Sequence, residues 1–107
     1  MKPQPQFRII NEKHSSVISI TGRLDAKGTS SLWQMAKKEI STCDSPNLTI
    51  DLENVMYLDT AGAAFISHIE TLGRQKDFKT IEIINVKSSY ATLIDLAKKI
   101  KQTDYSD

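Results

Sequence analysis

One cysteine, Cys43, stands among 107 residues, so no disulfide framework exists within the chain, and a reducing cytoplasm fits. No window approaches the ~18 apolar residues that would suggest a membrane span. The first residues, Met1-Lys2-Pro3-Gln4-Pro5-Gln6, lack the apolar stretch of a signal peptide. An excess of one charge sign is missing too. Fourteen Lys and Arg oppose thirteen Asp and Glu, a formal net charge of +1, which argues against a dedicated nucleic-acid surface. The small basic cluster Lys98, Lys99 and Lys101 reads as a solvated helix end, because cations suit the last turn of a helix.

Reactive constellations are equally scarce. His14 and His68 have no cysteine or carboxylate at zinc-site spacing. No glycine-rich phosphate loop of the P-loop type occurs. Ser15, Ser16, His68 and Asp59 lack any spacing that supports a triad. The expectation is a protein that is not an enzyme and needs no cofactor or metal.

What is present suits one α/β domain. Hydrophobic content of 39% and charged content of 25% are ordinary for a soluble globular chain, and the length allows a core without a staple. Residues 1–6 and 102–107 read as flexible tails around a single domain over 7–101. Phe7 and Ile9, then Ser16, Ile18 and Ile20, alternate on either side of the polar turn Glu12-Lys13-His14-Ser15, a β-hairpin signal; Gly22 ends the second strand. Leu32, Met35, Ala36 and Ile40 predict a helix over about 28–41, capped by Thr29 or Ser30. Leu48, Ile50 and Leu52 mark a third strand, and Ile81, Ile83 and Ile84 a fourth. Phe65, Ile66, Ile69 and Leu72 form a helical stripe from Thr60 to about Gln75. Tyr90, Leu93, Ile94, Ala97 and Ile100 form another after Ser88 or Ser89. The order β-β-α-β-α-β-α predicts a four-stranded mixed sheet, mostly parallel after its first strand, with helices covering it.

Loops after the C-terminal ends of parallel strands carry the working surface in such sheets. Two stand out: Gly22-Arg23-Leu24-Asp25, and Asn54 through Gly62. Neighbouring parallel strands would bring Asp25 and Thr60 to one edge. Thr60 sits at the expected start of a helix, where its hydroxyl can be a cap, a partner contact or a phosphate acceptor. Asp25 can be a turn residue or part of the same surface. Gly62 would allow close approach of the helix start to the sheet or a partner. Trp33 reads as a core residue or, if exposed, an interface anchor.

Three phrases carry a family resemblance: Thr21-Gly22-Arg23-Leu24-Asp25, Ile50-Asp51-Leu52-Glu53-Asn54-Val55 and Leu58-Asp59-Thr60-Ala61-Gly62. From about Phe7 to Ile100 the chain resembles the STAS domain, shared by anti-sigma factor antagonists, anion transporters and lipid-transport ABC systems. The resemblance implies the STAS fold and a cytoplasmic, non-catalytic interaction module, at the inner face of the membrane through its partners. It implies a partner-binding surface of Asp25, Asp59, Thr60, Ala61, Gly62 and Ala63. In sigma-regulating members the first hydroxyl after the Asp of an Asp-Ser-Ser-Gly or Asp-Ser-Thr-Gly loop receives a phosphate; Thr60 holds that position. Ala61, and Ala63-Ala64 after Gly62, depart from that pattern. With Ser31-Leu32-Trp33 they are more similar to STAS subunits of Mla-type phospholipid ABC transporters and to STAS domains fused ahead of the related permeases. The preferred reading is thus a partner of an ABC transporter ATPase, as a free subunit or a permease N-terminal domain. The alternative is an antagonist switched by an anti-sigma factor kinase at Thr60.

Overall fold

The computed structural model describes residues 5–104, with side chains through Lys99. β1 (Gln6–Asn11) and β2 (Ser15–Leu24) form the expected antiparallel hairpin, with Phe7 opposite Ile20 and Ile9 opposite Ile18. β3 (Asn47–Asp51) lies parallel to β2, pairing Ile50 with Ile18. The strand expected around Ile81–Ile84, β5 (Thr80–Ile84), lies parallel to β3.

Between them a fifth strand, β4 (Val55–Leu58), lies where a loop was expected. It takes up pairing with β2 beyond the end of β3. The four-stranded expectation therefore becomes a five-stranded mixed sheet of order β1-β2-β3-β5, with β4 on β2. Gly22 does not end β2. It bends the strand at φ 95° and donates its N–H to the Asn54 carbonyl at 3.1 Å, a backbone conformation for which glycine is the natural residue.

The single helix expected over 28–41 is two. α1 (Ala26–Thr29) begins directly after Asp25, and α2 (Leu32–Ser41) follows a break at Ser30-Ser31. Thr29 Oγ1 donates to the Asp25 carbonyl at 2.8 Å and Ser30 Oγ to the Lys27 carbonyl at 2.9 Å. Short hydroxyl side chains compete for backbone carbonyls in this way and favour helix ends over helix interiors. Neither Thr29 nor Ser30 is the cap expected: Asp25 caps α1, and Ser31 holds the cap position of α2 without a side-chain bond to it.

α3 (Thr60–Gln75) and α4 (Ser88–Asp104) complete the fold. Of the expected tails, Gln6 belongs to β1 and residues 102–104 continue α4; 1–4 and 105–107 lie outside the described residues.

One face of the sheet is buried. Along β2, Ile18, Ile20 and Leu24 point into a core shared with Leu48 and Ile50 of β3, Ala36 and Ile40 of α2, Phe65, Ile66 and Ile69 of α3, and Ile94 of α4. Every described helix of two turns or more contributes to that one cluster. The alternate β2 residues Val17, Ser19 and Thr21 are only half-buried on the other face. The sheet is thus covered on one side rather than both, as its alternating pattern requires. Trp33 is half-buried against the core, edge-on to Phe65 at 5.4 Å and tilted on His68 at 4.6 Å.

Candidate functional site

The last register pair of β2 and β4 is Leu24 with Leu58, so Asp25 and Asp59 leave adjacent parallel strands at the same level. Both keep extended backbones and then start a helix. Asp25 Oδ1 accepts from the Gly28 N–H at 2.7 Å, and Asp59 Oδ1 accepts from the Gly62 N–H at 3.1 Å. Each carboxylate thereby satisfies an amide left free at a helix start and sets negative charge against the positive end of the helix dipole. The convergence expected of these two loops is present.

The cap, however, is Asp59 and not Thr60. Thr60 is the first residue of α3, exposed, and its hydroxyl meets no partner among the described residues. Of the three roles open to that hydroxyl, structural capping is removed. Ala61 is half-buried. Gly62 is buried where α3 crosses the end of β2, and a Cβ there would lie 2.2 Å from the Leu24 carbonyl oxygen. It serves close approach to the sheet. Ala63 is fully buried in the core, so its side chain presents nothing to a partner. Of the six residues expected, Asp25, Asp59, Thr60 and Ala61 keep exposed or half-buried side chains and form one patch at this sheet end.

Three neighbours enlarge it. Arg23 holds Nε at 3.7 Å from Asp25 Oδ2 and lays its guanidinium over the Tyr57 ring, 4.1 Å from the centroid. Met56 is 66% exposed. Sequence reasoning placed all three within the two loops that stand out but gave none of them a role, although a signal was there. Leu24-Asp25-Ala26-Lys27-Gly28 and Leu58-Asp59-Thr60-Ala61-Gly62 share the spacing Leu-Asp-x-x-Gly, which marks two strand ends feeding two capped helices and so a strand before Asp59.

Elsewhere, Cys43 is buried, and burial pushes its thiol up from the ordinary value, partly offset by a hydrogen bond with Ser16. Among the described residues no group of His, Cys, Asp and Glu is arranged to hold a metal ion. Also among them, no helix is long and apolar enough to cross a membrane.

A hairpin leading into parallel crossovers, with helices on one face and two capped helices starting at one sheet end, defines an α/β domain with a mixed sheet covered on one side. The chain belongs to the STAS family described as "Mlab, STAS domain", whose family model matches residues 8–98. Among solved structures it is similar to an anti-sigma factor antagonist from Mycobacterium paratuberculosis, at 20% identity and a TM-score of 0.68, over 95% of this chain and 86% of that one. It is also similar to the anti-sigma factor antagonist SpoIIAA in its unphosphorylated form, at 13% identity and a TM-score of 0.64, over 86% and 80%. The phosphorylated form of SpoIIAA, a Bacillus cell fate determinant, gives 13% and 0.63, over 86% and 83%. At these identities the likeness is one of fold.

Proposed function

We propose that this chain is a non-catalytic docking module that binds the ATPase subunit of a phospholipid-trafficking ABC transporter and stabilises or regulates the complex. The observation that carries the reading is Thr60: an exposed hydroxyl without an internal partner, at a helix start already capped by Asp59. Exposed Met56 and Tyr57 lie on the strand leading to it. A hydroxyl unused by its own fold, beside apolar surface, is available to a partner. Membership of a family described as Mlab supports the transporter as that partner, as does the Asp-Thr-Ala-Gly-Ala loop. The module would then work in the cytoplasm, held at the inner face of the membrane by its partners.

A second reading has its own support. The similar solved structures are anti-sigma factor antagonists, one of them phosphorylated, and the exposed Thr60 hydroxyl could accept a phosphate. That group would add roughly −1.5 to −2 charges beside two carboxylates, enough to expel a partner already docked on the edge.

One preparation tests both readings. The purified protein is mixed with the ATPase subunit from the same cell, and separately with an anti-sigma factor kinase and ATP. The expected result is a stable complex with the ATPase, burying about 800 Å² per partner, and no phosphate on Thr60 by mass spectrometry. Capture of the kinase alone, with one phosphate mapped to Thr60, would replace the first reading with the second.

A further inference from the structure

The pairing of β4 with β2 contains an irregularity at the edge of the proposed docking surface. Gly22 pairs with Val55, but the next β2 residue, Arg23, pairs with Tyr57. Met56 is therefore the extra residue of a β-bulge. In regular register Met56 would lie beside Arg23, and Tyr57 beside the buried Leu24. The bulge instead leaves Met56 and Tyr57 exposed in succession, Met56 at 66%, and delivers Tyr57 beneath the Arg23 guanidinium. Bulges re-aim side chains in this manner and concentrate beside functional sites.

The result is a guanidinium stacked on an aromatic ring. Tyr57 supports it from one side, and Asp25 holds its Nε loosely at 3.7 Å while committing the other carboxylate oxygen to Gly28. Among the described residues no other acceptor meets it, and the side chain is 45% exposed. An arginine stacked in this way has already lost part of the freedom that binding would otherwise remove, and its fork of donors matches a carboxylate.

We infer that Arg23, stacked on Tyr57 by the β4 bulge, receives an acidic side chain of the docked partner, while Met56 beside it is covered by apolar partner surface. The inference rests on the docking reading above and names the chemistry the partner must bring. A carboxylate fits better than a phosphate because Asp25 already shares the guanidinium, and a doubly charged group would be repelled more strongly by it. Arginine, tyrosine and methionine are enriched at the buried centres of protein interfaces, which favours a protein partner over a free anion.

The test measures affinity for the purified ATPase subunit at low and high salt. It uses wild type, Arg23→Ala, Arg23→Lys, Arg23→Glu and Tyr57→Ala, with a thermal melt of each. Arg23→Ala is expected to weaken binding about thirtyfold, the scale of an interface hot spot, and to flatten the salt dependence. Arg23→Lys should recover only part of the loss, Arg23→Glu should bind worse than alanine, and Tyr57→Ala should lose about tenfold. Arg23→Lys and Arg23→Glu keep a long side chain at an exposed position, so they decide the matter if an alanine variant folds poorly. Folded Arg23 variants that bind as wild type, or that lose affinity with an unchanged salt dependence, overturn the inference and leave the docking reading standing. Wild type that fails to bind the ATPase overturns both.

Discussion

Asp59 and Thr60 are both residue types that cap helices well, and they sit side by side at the start of α3. The carboxylate takes the Gly62 amide and the hydroxyl is left over. This division of labour separates stability from binding at adjacent positions. Asp59→Ala is expected to cost about 1 kcal/mol through the lost cap, a fall of about 4–8 °C in melting temperature for a domain of this size. Thr60→Ala should stay within about 0.5 kcal/mol of wild type, as exposed substitutions do, while weakening the complex. Thr60→Glu should also remain folded, since an acidic group suits a helix N-terminus, yet bind worst because it adds charge beside Asp59. Melts and pull-downs on the same samples check this. A larger loss of stability from Thr60→Ala than from Asp59→Ala would return the cap to Thr60. The convergence of Asp25 with the Asp59–Thr60 loop was readable from two neighbouring parallel strands each followed by a loop, although the strand that delivers Asp59 is β4 and not the one from which that loop was expected to leave. Which residue capped was not, because propensity ranks Asp and Thr too closely to choose.

At the scale of elements, β4 was hidden by its own bulge. A strand announces itself by alternation, but Val55-Met56-Tyr57-Leu58 reads buried, exposed, exposed, buried. The extra residue breaks the period of two on which the reading depends. The split between α1 and α2 was hidden differently. Thr29, Ser30 and Ser31 each suit a cap or an interruption, and only their bonds back to the carbonyls of Asp25, Lys27 and Gly28 decide. Gly62, by contrast, was legible as a point of close approach, and the junction of α3 with β2 depends on it. Gly62→Ala drives a methyl group to 2.2 Å from the Leu24 carbonyl oxygen, a backbone atom that cannot rotate away. The expected loss is about 3 kcal/mol, at the upper end for overpacking, or a melting temperature lower by about 12 °C or more. An alanine variant that melts within a few degrees of wild type would mean that α3 can shift along the sheet, and with it the whole docking edge.

The whole molecule offers a partner two distinct surfaces. One is the sheet end where α1 and α3 begin, with Asp25, Asp59, Thr60, Met56 and Tyr57. The other is the open sheet face, where Arg8, Ser19 and Asp51 lie in one cross-strand row and Ile10, Val17, Thr49 and Glu82 in the next. The expectation was only that helices cover the sheet; one-sided cover agrees with the alternation of its strands, since strands buried on both faces read as continuous apolar runs. The far part of the open face lies out of reach of the sheet end. Val17 and Leu24 are seven residues apart on β2, about 23 Å at the rise of a strand, whereas a footprint of about 800 Å² has a radius of about 16 Å. A partner centred on the sheet end therefore cannot also cover the far part of the open face. Hydrogen exchange on the free and bound protein distinguishes the two. With the ATPase subunit bound, amides over 55–62 and 23–28 should exchange more slowly, while the hairpin turn at 12–15 and the start of β5 at 80–82 should be unchanged. Protection of the hairpin and of β5, with 55–62 left as in the free protein, would move the docking surface to the open sheet face and make the Asp25–Thr60 edge a structural junction only.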